Sequence, residues 1–384
     1  MKYPFVMNGY FYCKIYWLYK LIFKYIGLMI KYMYNGLEVN FMQNRVIKEG
    51  DLLDEKGRLV ERGYATSLVK KYDRSKIKAG KLRIKEWDYY LIYNKDYAVA
   101  ITVDDNSYMG LNSLTLIDFK IPEETTKSPM LFMTNGKTNF PSSSKIGDVK
   151  VETKNYKFEI LNDGTSRKIN AYMKDFKDGK DISVEFVLTD EPKDSMVIMT
   201  PFKEKETAFY YNQKIVGMKA VGKVKLGDSI IEFDDNTRAI LDWGRGVWTY
   251  KNTWYWGAGC GVVDGHEIGF NIGYGFGDTS SASENMIFVD GVAHKLEDVV
   301  FNIPKDNKGR DDFMSPWAFT SSDGRFEMSF VPIIDRHSNA NVVVISSNQH
   351  QVFGRFSGTM ILDDGRTLVI NDFLGFAEKV VNKW

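Results

Sequence analysis

Six Asp-Gly dipeptides punctuate the chain, at positions 163–164, 178–179, 264–265, 290–291, 323–324 and 364–365. Asp and Gly tolerate the positive φ angles of type I′ turns, whose twist matches that of antiparallel strands. Asp-Gly between alternating apolar runs therefore specifies hairpins. The runs are present: 149–161 (VKVETKNYKFEIL), 181–189 (DISVEFVLT), 266–276 (HEIGFNIGYGF) and 325–331 (RFEMSFV) alternate with period two and are rich in β-branched and aromatic residues. Helical periodicity is scarce after Met42, with room for a short helix or turns at 51–78 and 281–288. Many strands with few crossover helices predict an all-β chain of antiparallel barrels or sandwiches, which share one alternation.

At 384 residues the chain is long enough for two such units. They are expected at 42–215 and 216–384, with the boundary near 214–226. Residues 120–145, holding three of the nine prolines and little alternation, read as a long connection. The balance of 51 basic and 50 acidic side chains removes the usual electrostatic argument for a nucleic-acid binder, which needs a strongly basic face, and leaves room only for a local basic patch. Two cysteines, Cys13 and Cys260, and four scattered histidines make neither a disulfide framework nor a zinc site. No metal and no cofactor is expected, and a reducing cytoplasm fits.

Residues 1–41 stand apart, with 13 aromatic residues, five lysines and a single acid, Glu38. The apolar run 15–30 is broken by Lys20 and Lys24 and is shorter than the roughly 20 residues a membrane span needs. As a helix it would set a basic stripe against an aromatic body, as helices lying on membrane surfaces do. No signal-peptide cleavage arrangement precedes Met42. The favoured reading is a start at Met42. Without the five lysines and Glu38 of the extension, the totals become 46 basic and 49 acidic groups, a mildly acidic body.

The candidate site is the strip 241–261 (LDWGRGVWTYKNTWYWGAGCG), where Trp243, Trp248, Trp254 and Trp256 fall within 14 residues. On a strand, Trp254, Trp256, Ala258 and Cys260 share one face and Tyr255, Gly257, Gly259 and Gly261 the other. In the strand after Asp264-Gly265, Glu267, Gly269, Asn271, Gly273 and Gly275 share a face. Strand glycines mark places where a ligand or another chain segment comes close. One reading is a cavity floored by glycine, walled by Trp248, Trp254 and Trp256 and oriented by Glu267 and Asn271. The other is a groove filled by large side chains from a facing sheet. Asp242 and Arg245, three apart, could pair as carboxylate and guanidinium, or Arg245 could meet an anionic ligand. The polar loop 277–285 adds Asp278, Glu284 and Asn285, with Glu284 and Asp242 the candidate proton donors. In 85–90 (KEWDYY), Glu86 and Asp88 share a face and form either a buried carboxyl pair or an exposed edge. Nucleophile-elbow, phosphate-loop, dinucleotide and zinc-protease signatures are all missing.

The segments 85–90, 242–248 (DWGRGVW), 271–285, 322–326 (SDGRF), 351–358 (QVFGRFSG), 375–378 (GFAE) and 382–384 (NKW), in that order, resemble the bacterial domain of unknown function 2804 family from about Leu52 to Trp384. The resemblance implies distant similarity to tandem lipocalin-like barrels, the group with carotenoid hydratase-like and tocopherol cyclase-like proteins. It thus implies two calycin-like barrels or strongly curved sheets and an apolar ligand, and brings no catalytic residues. The leading expectation is a protein that binds a hydrophobic small molecule, lipid or isoprenoid-like, in a barrel cavity. The alternatives are a lyase or isomerase acting on an isoprenoid-like alkene, and a carbohydrate binder or glycosidase.

Overall fold

A computed structural model describes residues 43–383 apart from 343 and 344. The expected surface helix within 1–41 and the start at Met42 lie outside the described residues. Within them there is no α-helix, only three short 3-10 turns, and no helix long and apolar enough to cross a membrane.

The first sheet has fourteen strands, ten of them on one continuous path. In chain order these ten are β1 (Ile84–Tyr93), β2 (Tyr97–Asp105), β3 (Met109–Asp118), β4 (Glu123–Lys127), β5 (Val149–Glu152), β6 (Tyr156–Asn162), β7 (Arg167–Lys177), β8 (Lys180–Thr189), β9 (Lys205–Leu226) and β10 (Arg238–Val247). Their spatial order is β4-β3-β2-β1-β10-β9-β8-β7-β6-β5. The second sheet contains β11 (Lys251–Val263), β12 (His266–Tyr274), β13 (Met286–Val289), β14 (Val292–Lys295), β15 (Val299–Asn302), β16 (Trp317–Ser321), β17 (Phe326–Val342), β18 (Ile345–Ile361) and β19 (Thr367–Lys383). Its order is β14-β13-β12-β11-β19-β18-β17-β16-β15.

The Asp-Gly reading carries into the structure, since all six dipeptides sit in connections between successive antiparallel strands. At 178–179, 264–265 and 290–291 the connection is two residues long and both have positive φ, the I′ geometry. Alternation then assigns faces. Along β7, residues Arg167, Ile169, Ala171 and Met173 are buried while their neighbours are exposed.

Both sheets curl over an apolar core of their own. Tyr90, Ile92, Val99, Ile101 and Leu114 from one end of the first sheet share a cluster with Val149, Phe158 and Ile160 from the other. Lys177 of β7 and Glu123 of β4 pair across the gap at 2.8 Å. In the second sheet, Phe301 of β15 packs edge-on against Tyr274 of β12 at 5.5 Å. No ladder joins the end strands of either path among the described residues. A third cluster, including Leu91, Tyr93, Ala258, Cys260 and Phe376, lies between the two sheets.

Several expectations shift. The boundary at 215/216 falls inside β9, whose ladder to β10 continues through it; the chain passes between sheets at 248–250. The connection 120–145 contains β4 and a short strand, Met130–Phe132. Of residues 281–288 only Ser281, the end of a 3-10 turn, is helical, because Met286–Val289 finds ladder partners in β12 and β14.

Candidate active site between the sheets

Two cross-strand rows face each other. On the outer face of the first sheet, Lys214 (β9) lies opposite Asp242 (β10), Asp242 opposite Tyr89 (β1), Tyr89 opposite Thr102 (β2) and Thr102 opposite Ser113 (β3). On the second sheet, Gly273 (β12), Trp256 (β11), Glu378 (β19), Gln351 (β18) and Arg336 (β17) form the other row. Opposed residues on neighbouring strands lie about 5 Å apart, so each row is a compact strip of side chains. The rows touch where Lys214 Nζ stands 3.8 Å from the Trp256 ring centroid. They also touch where the Tyr89 hydroxyl lies 3.4 Å from Gln351 Oε1. Between them is a cavity of about 510 Å³, within the range of small-molecule sites.

One end of the cavity is aromatic. Trp87 stacks on Tyr210 at 6.1 Å and leans on Trp248 at 5.2 Å. Phe276 presents edge contacts to Tyr210, Trp248 and Trp254. Glycine makes this possible at two points. A Cβ on Gly244 would sit 1.9 Å from the Trp87 indole, so the ring occupies the space a side chain there would need. Gly275, at φ +92, reverses the alternation after Tyr274 and turns Phe276 toward the cavity. The other end is lined by the hydroxyls of Thr102, Ser113, Thr126 and Ser128 and by Arg336.

Lys214 and Asp242 form a buried ion pair at 2.8 Å, and Asn212 Nδ2 donates to Asp242 Oδ1 at 2.6 Å. Four further carboxyls line the same cavity, Asp104, Glu124, Glu284 and Glu378, and the last two feel the charges of this ion pair. Burial raises the pKa of both, with Asp242 adding to the rise and Lys214 opposing it; Glu378 reaches about 7. Trp254 Nε1 donates to Glu378 at 3.0 Å, and the Gln351 and Gln349 amides approach its second oxygen at 3.2 and 3.4 Å. These donors favour the charged form, but desolvation outweighs them. Glu284 rests on Gly273, where its Oε1 is 2.8 Å from the place of a Cβ. Its loop is fastened by Asn271 Nδ2 to the Glu284 carbonyl at 2.7 Å, by Asn285 Oδ1 accepting from the Gly273 amide at 2.7 Å, and by Lys295 Nζ to Ser283 Oγ at 2.7 Å.

Of the residues singled out from the sequence, Asp242, Glu284, Trp248, Trp254 and Trp256 line the cavity together. Asn271 and Asn285 stand behind it, Asn271 also accepting from Trp256 Nε1 at 2.8 Å. Arg245 and Glu267 lie elsewhere. Residues 242 and 245 are on a strand, so odd spacing sends them to opposite faces. Arg245 points into the first core, where it pairs with Asp88 at 3.0 Å and lies over the Trp243 ring. Glu267 makes a bidentate ion pair with Arg238. Glu86 and Asp88 are buried, yet each has its own arginine, Arg74 and Arg245.

The glycine floor does not form. Register sets Gly257 and Gly259 beside Ile272 and Phe270 on the core face, and Gly269 and Gly273 beside Cys260 and Trp256 on the other. Phe270 fills the space over Gly259, and Val216 of the first sheet that over Gly269. Sequence reasoning missed Lys214, Glu378, Gln351, Arg336, Trp87 and Tyr89 as one site. The available signal was charge inside alternating apolar runs, Lys214 in YYNQKIV and Glu378 in FLGFAEKVV.

Residues 43–384 match the family profile described as Domain of unknown function (DUF2804). Comparison with curated proteins by sequence yields no match. Among solved structures, a protein provisionally assigned as AttH from Nitrosomonas europaea is similar at 11% identity and TM-score 0.50, over 77% of this chain and 92% of that one. Kievitone hydratase from Nectria haematococca is similar at 11% identity and TM-score 0.44, over 78% of this chain and 88% of that one. At such identity the first likeness speaks to fold alone, that of tandem lipocalin-like, strongly curved antiparallel sheets.

Proposed function

The chain belongs to the domain of unknown function 2804 (DUF2804) family, and we propose that it binds an amphipathic small molecule in the cavity between its sheets. There it acts on an unsaturated, apolar part of that molecule by general-acid catalysis, as a hydratase or double-bond isomerase does. The supporting observation is a charge imbalance. Of the five carboxyls that line the cavity, Asp242, Glu284 and Glu378 share one ammonium, Lys214, and its ion pair is with Asp242. Glu284 and Glu378 are left in a desolvated wall where the neutral, proton-carrying form is favoured. A buried acid with a pKa of about 7 is poised to give up a proton near neutral pH and take it back.

In this reading Glu378 passes its proton to one carbon of the double bond, whose π pair forms the new C–H bond. Positive charge develops on the neighbouring carbon beside the Trp254 and Trp256 indoles, whose faces favour cations. Water adds through oxygen to that carbon and loses a proton to the carboxylate, restoring the acid. In isomerisation the carboxylate instead removes a proton from the adjacent carbon. Asp242 serves by holding Lys214, and Glu284 is the second proton carrier. The cysteine usage suits a reducing cytoplasm, and residues 1–41, where expressed, would meet a membrane surface that supplies apolar substrate.

Incubation of the purified protein with a cell lipid extract in ¹⁸O-water, followed by mass spectrometry, tests the reading. The expected result is a product carrying one labelled water, or an isomer of unchanged mass with shifted retention, formed at least about 100-fold more slowly by Glu378→Gln. Unchanged turnover in both Glu378→Gln and Glu284→Gln removes the acid-catalysis assignment. The hydroxyl-lined end favours one other reading, a sugar, and glycosidic cleavage would announce itself as smaller fragments.

A further inference from the structure

The row on the second sheet ends in a cation that no carboxylate of the described residues pairs with. Arg336 lines the cavity, and no carboxylate of the described residues comes within ion-pairing distance of its guanidinium. It is held by two neutral oxygens instead. Nη1 donates to Gln351 Oε1 at 2.9 Å, and Nε approaches Thr126 Oγ1 at 3.4 Å. Gln351 is in turn oriented by Tyr89 and Glu378, so the guanidinium is set in place by a chain of hydrogen bonds along the cavity wall. Neutral acceptors hold a guanidinium without cancelling its charge, and an arginine so placed is suited to a planar anion.

We infer that the ligand carries a carboxylate, bound by Arg336 at the hydroxyl-lined end, with its apolar body extending toward the tryptophans; this rests on the reading of the cavity given above. Among the described residues that line the cavity, Lys214 is the other lysine or arginine and is paired with Asp242, so one guanidinium matches a single negative charge rather than a phosphate dianion. Glu124 also lines this end and would oppose a dianion further; its Oε2 accepts from Thr126 at 2.7 Å. The row fixes the length scale. Strands are spaced about 4.8 Å apart, so Arg336 lies about 10 Å from Glu378 and about 14 Å from Trp256 along the sheet. The reactive double bond is therefore several carbons removed from the carboxylate, and a long-chain or isoprenoid acid spans the distance where a short acid does not.

Titration calorimetry with farnesol and farnesoic acid, two probes of one chain length that differ in the head group, tests this on the full chain. The acid is expected to bind at least tenfold more tightly than the alcohol. Arg336→Gln is expected to collapse that ratio to near one, and Arg336→Lys, which keeps the charge without the planar fork, to restore part of it. Equal affinities in the unsubstituted protein, or a ratio that survives Arg336→Gln, overturn the carboxylate assignment while leaving the cavity reading in place. Absence of binding by both probes overturns the cavity reading and this inference with it.

Discussion

Glu378→Gln reverses its effect on stability between mildly acidic and mildly alkaline pH. The carboxyl has a pKa near 4.5 in the unfolded chain and about 7 in the folded one. The folded state therefore binds more protons between those values, and stability falls as pH rises through that window. At about 1.4 kcal/mol per tenfold change in proton affinity, keeping Glu378 buried above pH 7 costs about 3 kcal/mol. Below pH 4.5 it costs nothing. The amide removes this cost but brings one of its own. Its oxygen can still accept from Trp254 Nε1, while its nitrogen meets the Gln351 and Gln349 amide donors, losing about 1 kcal/mol of hydrogen bonding. The variant should be about 2 kcal/mol more stable than the parent at pH 8 and about 1 kcal/mol less stable at pH 4.5. Urea unfolding at the two pH values, with equal slopes, reads both differences. A variant less stable than the parent at pH 8, or shifted equally at both, refutes the raised proton affinity and with it the case for Glu378 as an acid.

Two other substitutions probe separate steps of the argument. Gly244→Ala sets a Cβ 1.9 Å from an indole hemmed in by Tyr210 and Trp248, and should destabilise by about 1–3 kcal/mol through overpacking. Gly80→Ala, where a Cβ meets nothing within 4 Å and φ is -57, is the control; equal urea midpoints for the two would show that Trp87 does not depend on Gly244. Lys214→Met removes the cation that opposes the rise in both Glu284 and Glu378, so their protonated carbonyl stretches in the infrared should persist to higher pH than in the parent. A midpoint that stays put would separate Lys214 from the two acids.

The hairpins were legible because their chemistry is local. An Asp-Gly pair with positive φ at both residues needs no distant partner, and at 264–265 it even fixes register: pairing Val263 with His266 forces Gly259 beside Phe270. The bare glycine floor could thus have been discounted from the sequence, since the turn that joins the strands sets bulk against each gap. Asp242 and Arg245 are a case of missing context. Read as a loop, residues 242–246 allow the pair to meet; read as strand, they forbid it by parity, and only the ladders to β1 and β9 decide. The full site was out of reach because Lys214 and Glu378 are brought together from two separate sheets. No alternation within either strand reports what faces it.

That the site lies between the sheets and not inside either curl follows from period two. Each strand has one face for its own core and one left over. On β1 the core face carries Tyr90 and Ile92, and the other carries Trp87, Tyr89, Leu91 and Tyr93 in succession. The second face changes character along its length. Leu91 and Tyr93 are sealed against the second sheet, with Tyr93 donating to the Cys260 carbonyl at 3.0 Å, while Trp87 and Tyr89 open onto the cavity. The dry half of the interface therefore does for the polar half what a folded core does for an ordinary active site. It fixes two rigid ladders at one separation and keeps bulk water away, the condition under which a buried carboxyl retains its proton. Loosening the seal, by truncating Tyr93 or Leu91, should lower the proton affinity of Glu378 without touching any of its hydrogen-bond partners.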